Sequence, residues 1–288
     1  MVTSTNDPAA AQRDAFIEHI RSAAIGAFEI GGIALGIRLG LYAALRNGGP
    51  ATSVQLAART ELSERTIREW LEHQAVNGLL DLASDADDPT ARRYVLSEAL
   101  AEVLLDRDSL AYFGPTAAQV LAALGSMAEV ETSFRTGGGF SFATGGDETR
   151  ISEGEGNRPA YLRQLGQEWL PSIPEIHTRL LAEPSARIAD IGCGLGWSSI
   201  GMALAYPGVR VHGVDLDEPS IEMARGNAAS AGVADRVTFI AANAARPGLE
   251  GRYDLVTIFE AFHDMAHPVA ILAMLRDVLA DGGSILIA

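Results

Sequence analysis

Two carboxylates flank a glycine-rich turn in the second half of this sequence of 288 residues. Asp190 lies near the end of an apolar stretch over residues 187–191, and Gly192, Gly194 and Gly196 follow that stretch at alternate positions. Asp215 ends a second apolar stretch about 20 residues further on, where a carboxylate commonly holds the hydroxyls of a ribose. Glycines allow a tight backbone turn and let a ligand approach the backbone closely. This spacing predicts a site for a ligand that contains a nucleoside.

The spacing of the glycines argues against a dinucleotide cofactor. A G-x-G-x-x-G fingerprint that began at Gly192 would need a third glycine at position 197, which is occupied by Trp197. The carboxylate of Asp190, two residues before the first glycine, would also repel a pyrophosphate, whereas it suits a ligand that carries an amino group. A nicotinamide-dependent dehydrogenase is therefore the less favoured interpretation.

The elements that position these residues alternate between apolar strands and helices. Strands are predicted over residues 187–191, 209–215, 237–241, 253–259 and 284–288, and helices over 197–205, 219–231 and 269–279. This alternation predicts a doubly wound α/β domain with a parallel sheet over residues 159–288. Ligands of such sheets bind at the carboxyl ends of the strands.

Taken in order, these motifs resemble those of the class I S-adenosylmethionine-dependent methyltransferases. The resemblance rests on D-x-G-x-G-x-G, on the acidic end of the second strand and on the segment Phe262-His263-Asp264-Met265 after the fourth. It implies a Rossmann-like fold, the cofactor S-adenosyl-L-methionine and methyl transfer to a small apolar or aromatic metabolite at oxygen. Nitrogen and carbon acceptors remain alternatives.

The resemblance also implies which residues contact the cofactor. The expected contacts are Asp190 near the methionine amino group, the glycines 192, 194 and 196 beneath the cofactor, Asp215 at the ribose, and Asn243, Ala244 and Phe259. Asn243 stands where many relatives have an aspartate that contacts the adenine amino group. Because an asparagine carbonyl can accept the same hydrogen bond, this departure is mild.

His263 and Asp264 are the candidate catalytic residues. They resemble the His-Asp pair of small-molecule O-methyltransferases, whose histidine deprotonates the acceptor hydroxyl; a histidine with a pKa of about 6.5 suits that task. Those enzymes usually have tryptophan after the aspartate, where this sequence has Met265. Two interpretations remain. His263 is the base and Asp264 orients it, or His263 only caps the strand or packs against the cofactor, with Asp264 capping the next helix.

An α-rich domain is predicted over residues 13–130, after a disordered tail over residues 1–12. Its long first helix, from Arg13 to Arg46, has a potential break at Gly31-Gly32. Thr52-Ser53-Val54-Gln55 is a capping box that begins a short helix.

Two further elements complete the pattern of a winged helix-turn-helix. Ser63 is expected to cap a helix over residues 64–77, and strands over 79–82 and 94–96 form a wing. This order of domains also resembles that of the small-molecule O-methyltransferases, which implies that the winged-helix domain forms a homodimer and covers the substrate.

Charge argues against a nucleic-acid partner. The net charge is −15, and the wing carries Asp81, Asp85, Asp87 and Asp88 against only Arg92 and Arg93. DNA binding needs a basic surface. A winged-helix regulator that senses S-adenosylmethionine without turnover is thus the alternative rather than the preferred function.

A glycine-rich segment over residues 131–158 is predicted to be an interdomain linker or a lid over the substrate. Phe140 and Phe142 favour the lid, since a plain linker seldom contains aromatic residues. Tyr161 and Trp169, on the helix that follows, are core residues or substrate contacts.

Composition predicts a cytoplasmic protein without metal. The single cysteine, Cys193, excludes an internal disulfide, and its place in the glycine turn favours a small packing residue over a nucleophile. No zinc-ligand spacing is present. The apolar stretch from Ile25 to Leu45 contains Glu29, Arg38 and five glycines, so a buried or interface helix is favoured over a membrane span.

The end of the sequence carries one further expectation. The sheet of the family has two more strands after residues 284–288, so these C-terminal strands are expected to be missing here. The last strand would then be an apolar edge prone to aggregation unless a partner covers it.

Overall fold

The computed structural model describes residues 8–288. The chain divides into two compact units, and the boundary in the sequence lies between Asp106 and Arg107. The division falls before the expected boundary at residue 130, because the helix over Pro115–Gly125 packs within the second unit. There, Gln119 Nε2 donates a 3.1 Å hydrogen bond to the carbonyl of Ser152. Residues 8–12, expected in a disordered tail, are helical; residues 1–7 lie outside the described residues.

The first unit is α-rich, as predicted. Its elements are α1 (Pro8–Arg38), α2 (Leu41–Gly48), α3 (Ser53–Thr60), α4 (Glu64–Val76), β1 (Asp81–Ser84), a 3-10 turn (Pro89–Ala91), β2 (Arg93–Val95) and α5 (Glu98–Leu105).

The second unit begins with six helical segments and continues with strands and helices. Its elements are α6 (Pro115–Gly125), α7 (Met127–Thr136), a 3-10 turn (Phe142–Gly145), α8 (Gly146–Ala160), a π-helical segment (Tyr161–Trp169), α9 (Pro174–Leu181), β3 (Arg187–Ile191), α10 (Trp197–Ala205), β4 (Arg210–Asp215), α11 (Glu218–Ser230), β5 (Val237–Ala241), β6 (Tyr253–Ile258), a 3-10 turn (Phe262–Asp264), α12 (Pro268–Val278) and β7 (Leu279–Ile287).

The first unit has the predicted winged helix-turn-helix. α3 begins with the expected capping box, in which Thr52 and Gln55 cap each other. β1 and β2 form an antiparallel wing. Ser63 does precede α4, but its side chain makes no capping hydrogen bond.

The expected break of the first helix at Gly31-Gly32 was wrong, because α1 is continuous there. The indole Nε1 of Trp70 donates a 2.9 Å hydrogen bond to the carbonyl of Gly32. A Cβ built on Gly36 would lie 2.5 Å from the Trp70 ring. These glycines therefore bring α1 close to α4, and the chain turns later, at Gly40, where φ is 69°.

α1 has a largely exposed apolar surface. By length and composition it is the one helix of the described part of the chain that could cross a membrane, and only 11% of its most apolar window is buried in the structure. Its exposed large apolar side chains are Phe16, Ile17, Ile20, Ile25, Phe28 and Leu35.

The sheet of the second unit is parallel, with the strand order β5-β4-β3-β6-β7. Side chains alternate between its two faces, so that Ile188 lies in the core on one face and Ala189 in the core on the other. The order reverses between β3 and β6, which places a ligand-binding crevice at their carboxyl ends. β7 lies at one edge of the sheet.

The segment over residues 131–158, predicted to be a linker or a lid, is mostly helical. α7 ends at Thr136, and α8 begins at Gly146. Within α8, Gly154 allows close packing. A Cβ built on Gly154 would lie 2.4 Å from Cδ1 of Leu195.

Candidate functional site

The glycine turn after β3 contacts the segment that follows β6. All three of its alternate glycines have positive φ, which an L side chain disfavours. At Gly192 an added Cβ would also lie 2.4 Å from Cβ of Ala261 and 3.7 Å from Cε of Met265. The turn and the segment around residues 261–265 therefore meet at the carboxyl ends of β3 and β6.

Asp215 ties the end of β4 to the glycine turn. Its Oδ2 accepts a 2.8 Å hydrogen bond from the N–H of Gly194, and its Oδ1 accepts a 2.9 Å hydrogen bond from the N–H of Asp217. Burial raises the pKa of this half-buried carboxyl group. Each oxygen retains a lone pair, so Asp215 can accept further hydrogen bonds from a ligand.

Asp190 is enclosed by hydroxyl groups. Only 1% of the residue is exposed. Its Oδ2 accepts 2.6 Å hydrogen bonds from Ser198 and Ser199 at the start of α10, and its Oδ1 accepts a 2.8 Å hydrogen bond from Thr257 of β6. Burial raises the pKa of Asp190, and these hydroxyls oppose the rise.

This environment gives Asp190 a structural role, and its expected place near an amino group of the ligand stays a prediction. Its carboxylate joins β3, α10 and β6 inside the protein. Sequence reasoning missed its three partners; the Ser198-Ser199 pair directly after the glycine turn was the available signal, whereas Thr257 lies 67 positions away.

Asn243 and Ala244 follow β5 at the same edge of the sheet. Asn243 is exposed, and its Oδ1 accepts a 2.8 Å hydrogen bond from the N–H of Ala245. Ala244 is partly buried against the core that contains Ile258 and Ile271. The amide oxygen expected to meet an adenine thus closes a local turn and keeps one lone pair for a ligand.

An aromatic cluster stands beside β6. Phe259, 6% exposed, lies 5.7 Å from Tyr161 between ring centroids, and Tyr161 lies 6.2 Å from Trp169 in an edge-on arrangement. Burial raises the pKa of the Tyr161 hydroxyl, and the carboxylates of Asp190 and Glu260 raise it further. The structure therefore brings Tyr161, Trp169 and Phe259 together near the end of β6.

Phe140 and Phe142 do not join this cluster as buried residues. Each is 49% exposed, on the loop and the 3-10 turn that precede α8. No described contact places either side chain over a substrate, so the lid stays a prediction.

His263 and Asp264 lie on the 3-10 turn directly after β6. The imidazole Nε2 is 3.5 Å from Oδ2 of Asp264, and the two side chains are 67% and 80% exposed. The turn is close to the glycine turn through Ala261 and Met265. Both side chains are therefore accessible from the solvent, and their catalytic role stays a prediction.

The environment of Cys193 favours packing over chemistry. The residue is buried, and burial raises the pKa of its thiol well above the usual range, with a further rise from the carboxylates of Asp190 and Asp215. Within residues 8–288, no group of three or more His, Cys, Asp or Glu side chains is arranged to hold a metal ion.

Two protein families match separate parts of the chain. Residues 188–283 match the methyltransferase domain family, and residues 29–106 match the Rv2258c-like winged HTH domain family. The first match contains β3 to α12 with the glycine turn, and the second contains α2 to α5 with the wing.

Curated relatives match one third of the chain. The 27-O-demethylrifamycin SV methyltransferase of Amycolatopsis mediterranei is 37% identical over 98 residues, which cover 34% of this chain and 36% of the relative. A ubiquinone biosynthesis O-methyltransferase of Ralstonia nicotianae is 32% identical over 99 residues, covering 34% and 41%. The matches thus span about two fifths of these relatives' length.

Solved structures share the fold over nearly the whole chain. Mitomycin 7-O-methyltransferase has a TM-score of 0.69 and 22% identity, over 96% of this chain and 81% of that one. An O-methyltransferase from neocarzinostatin biosynthesis, in complex with S-adenosyl-L-homocysteine and 1,4-dihydroxy-2-naphthoic acid, has a TM-score of 0.63 and 18% identity, over 90% and 78%.

Proposed function

We propose that this chain, which carries a methyltransferase domain at residues 188–283 behind a winged helix-turn-helix domain at residues 29–106, transfers a methyl group from S-adenosyl-L-methionine to an oxygen of a small apolar or aromatic molecule. The observation that carries the proposal is the Asp215 carboxylate, bonded to the glycine turn at the carboxyl ends of parallel strands. The naphthoic acid in the neocarzinostatin-pathway structure supports an aromatic acceptor.

The residues present fit this cofactor. Asp215 keeps lone pairs for two ribose hydroxyls, and Asn243 keeps one for the adenine amino group. A Cβ built on Gly194 would meet no atom within 4 Å, so open space adjoins the turn beside Asp215. The cofactor, when bound, supplies a methyl group that its sulfonium has already activated for displacement.

The protein itself aligns the acceptor with the cofactor, excludes water and removes one proton from the acceptor. The aromatic cluster of Phe259, Tyr161 and Trp169 forms an apolar wall beside β6, which suits an apolar acceptor. His263, on the adjacent turn, takes the proton of the acceptor hydroxyl, and Asp264 orients the imidazole. Holding acceptor and cofactor in line accounts for the remaining rate enhancement.

Methyl-labelled S-adenosylmethionine tests the proposal directly. The purified protein is incubated with it and with a panel of phenols or a metabolite extract, and the products are examined by mass spectrometry. We expect one labelled methyl group on oxygen. Binding of the cofactor without any labelled product would favour the sensing regulator, and absence of cofactor binding would contradict both functions.

His263→Gln tests the proposed base once an acceptor is known. We expect kcat to fall by about 10²-fold or more, with unchanged cofactor affinity, because only the proton transfer is removed. His267→Gln is the matched control, since His267 is exposed on the same segment at the start of α12. Equal losses in both variants, or a loss of cofactor affinity, would assign His263 to the scaffold.

We also propose a homodimer formed through the first unit. Phe28 and Ile20 of α1 are 76% and 66% exposed, and apolar surface of this extent favours association. Light scattering of the whole protein should give a dimer, and Phe28→Asp should give a monomer while the polar control Glu18→Gln should not. A monomeric parent protein at high micromolar concentration would contradict this.

The regulator finds little support on α4, the helix that would enter a DNA groove. Arg65 and Arg68 pair with Glu69 and Glu64, so their charges are offset. We therefore propose a cytoplasmic enzyme without a nucleic-acid or membrane partner. A gel shift with random and genomic duplexes provides the test, and salt-sensitive retention of DNA would revive the regulator.

A further inference from the structure

One face of α8 contacts the segments that carry the glycine turn and Asp215. Arg150, Gly154 and Arg158 are spaced by four residues, which places them in a row along the helix. Arg150 meets the start of α11, Gly154 meets the glycine turn and Arg158 meets the start of α10. α8 therefore lies along the predicted cofactor loop rather than linking two domains.

Arg150 makes the strongest of these contacts. Its Nε and one terminal nitrogen donate hydrogen bonds of 2.6 and 2.8 Å to the two carboxylate oxygens of Asp217, and its other terminal nitrogen donates a 3.0 Å bond to Asp147. The side chains of Arg150 and Asp217 are only 8% and 9% exposed. A bidentate pair shielded in this way fixes both position and orientation.

Asp217 relays this contact to the site. Its carboxylate also caps α11 through the N–H and hydroxyl of Ser220, at 3.0 and 2.7 Å. Its own N–H donates the hydrogen bond to Oδ1 of Asp215, whose Oδ2 accepts from Gly194. One continuous chain of hydrogen bonds thus runs from Arg150 to the glycine turn.

The other two contacts hold the same loop. Leu195 lies between two glycines of the turn, and its side chain occupies the space that a Cβ on Gly154 would need. The guanidinium of Arg158 stacks on the Trp197 ring, 4.9 Å from its centroid, at the first residue of α10. α8 therefore packs against the loop at three successive points.

We propose that Arg150 is a positioning residue for the cofactor, which holds Asp217 and thereby sets the carboxylate of Asp215 for the ribose hydroxyls. The inference rests on the proposed function, since it takes the ligand of Asp215 to be S-adenosylmethionine. Arg150 itself touches no reacting atom. Its contribution is to cofactor affinity, through the preorganisation of the β4–α11 turn.

A second ion pair of the same kind provides the control. Arg179 Nε donates a 2.8 Å hydrogen bond to Asp254, whose other oxygen accepts from the N–H of Arg187. Asp254 is the second residue of β6 and therefore lies at the amino end of the same sheet, away from the ligand crevice. Loss of this pair should lower stability without touching the cofactor site.

The experiment measures cofactor affinity by calorimetry in the full chain, with S-adenosylmethionine and S-adenosylhomocysteine as probes. We expect Arg150→Met to raise the Kd for the cofactor by about tenfold or more, and Arg150→Lys to restore part of the lost affinity. Arg179→Met should leave Kd within about twofold of the parent value, although this variant, like Arg150→Met, should unfold at a lower temperature. In turnover, Arg150→Met should raise KM for the cofactor and leave kcat at saturation nearly unchanged.

Asp217→Asn, together with the variant that combines it with Arg150→Met, completes a double-mutant cycle for cofactor affinity. If Arg150 acts through Asp217, the two losses in affinity will not add. Equal Kd values for Arg150→Met and Arg179→Met, or additive losses in the cycle, would overturn the positioning role while the proposed function stands. If Arg150→Met fails to fold, Arg150→Lys and Asp217→Asn decide by the same criteria. A wild-type protein that does not bind the cofactor would overturn both.

Discussion

Asp190, one residue before the end of β3, and Asp215, at the end of the neighbouring parallel strand β4, have opposite surroundings in the structure. Three hydroxyl groups from α10 and β6 enclose the carboxylate of Asp190. Two backbone N–H groups hold Asp215, which stays half-buried and open to further donors. Two carboxylates near the same edge of a sheet therefore need not have the same role, since the partners that reach each carboxylate decide whether it stabilises the fold or stays open to a ligand.

The largest expected effect is on stability, at Asp190. Asp190→Ala removes the common acceptor of three buried hydroxyls. The Ser198 and Ser199 hydroxyls lose that acceptor, and Thr257 keeps only a 3.5 Å hydrogen bond to a backbone carbonyl. We therefore expect a loss of roughly 3–5 kcal/mol in the free energy of unfolding. Chemical denaturation measures it. If this variant instead folded as stably as the parent and lost only cofactor affinity, Asp190 would be a ligand contact rather than a residue that stabilises the fold.

The second effect is on affinity, at Asp215. Asp215→Ala removes the acceptor of the paired ribose hydroxyls, and we expect cofactor binding to weaken by about 1–3 kcal/mol. Stability should change less than at Asp190, because the released N–H groups lie nearer to water. Calorimetry and denaturation of the two variants side by side test this contrast, and wild-type affinity in Asp215→Ala would contradict the cofactor assignment.

The third effect is an opposite pH dependence at two neighbouring carboxylates. Hydrogen bonding to Arg150 lowers the pKa of Asp217 to about 2, whereas burial raises the pKa of Asp215. Ionised Asp217 therefore stabilises the fold by about 2 kcal/mol above pH 4, and this is lost as the pH falls toward 2. At Asp215 the folded state favours the proton, so its contribution to stability is greatest at low pH and is lost as the pH rises through its raised pKa.

Thermal unfolding of Asp217→Asn and Asp215→Asn between pH 7 and pH 2.5 measures these slopes. The deficit of Asp217→Asn against the parent should shrink below pH 4. Any advantage of Asp215→Asn over the parent should shrink on acidification from neutral pH. Parallel slopes for the two variants would show that their environments do not differ as the structure indicates.

The smallest effect sharpens the account of Asp190. Ser199→Ala removes one of its three donors and should cost about 1 kcal/mol of stability with no change in cofactor affinity. Thr257→Val, a change of the donor from β6, should behave alike. A large loss of affinity in either variant would bring Asp190 back to the ligand.

Local patterns were enough to predict the strands that frame the site. β3, α10 and β5 begin and end where the apolar stretches and glycines indicated, because short buried strands are bounded by residues that cannot remain in the core. The glycine turn follows β3, Asp215 ends β4 and the turn at His263 follows β6, so the predicted strands also located these features. Contacts between distant segments were not predictable in this way.

The omissions and errors came from residues whose role depends on such distant partners. The partners of Asp190 include a hydroxyl from β6. Gly154 resembled a linker residue, and only its contact with Leu195 shows why a helix has glycine there. The Gly31-Gly32 pair misled the prediction of α1 for the same reason, since the hydrogen bond from Trp70 to the carbonyl of Gly32 is not visible in the local sequence.

The composition of α8 has a consequence for how the protein opens. Glycine has low helix propensity, and α8 contains Gly146, Gly154 and Gly156 together with Pro159. Such a segment is helical because its neighbours hold it, so its backbone amides should exchange with deuterium before those of the sheet. Occupation of the crevice, by fixing the loop that α8 grips, should slow that exchange at a helix that need not touch the ligand.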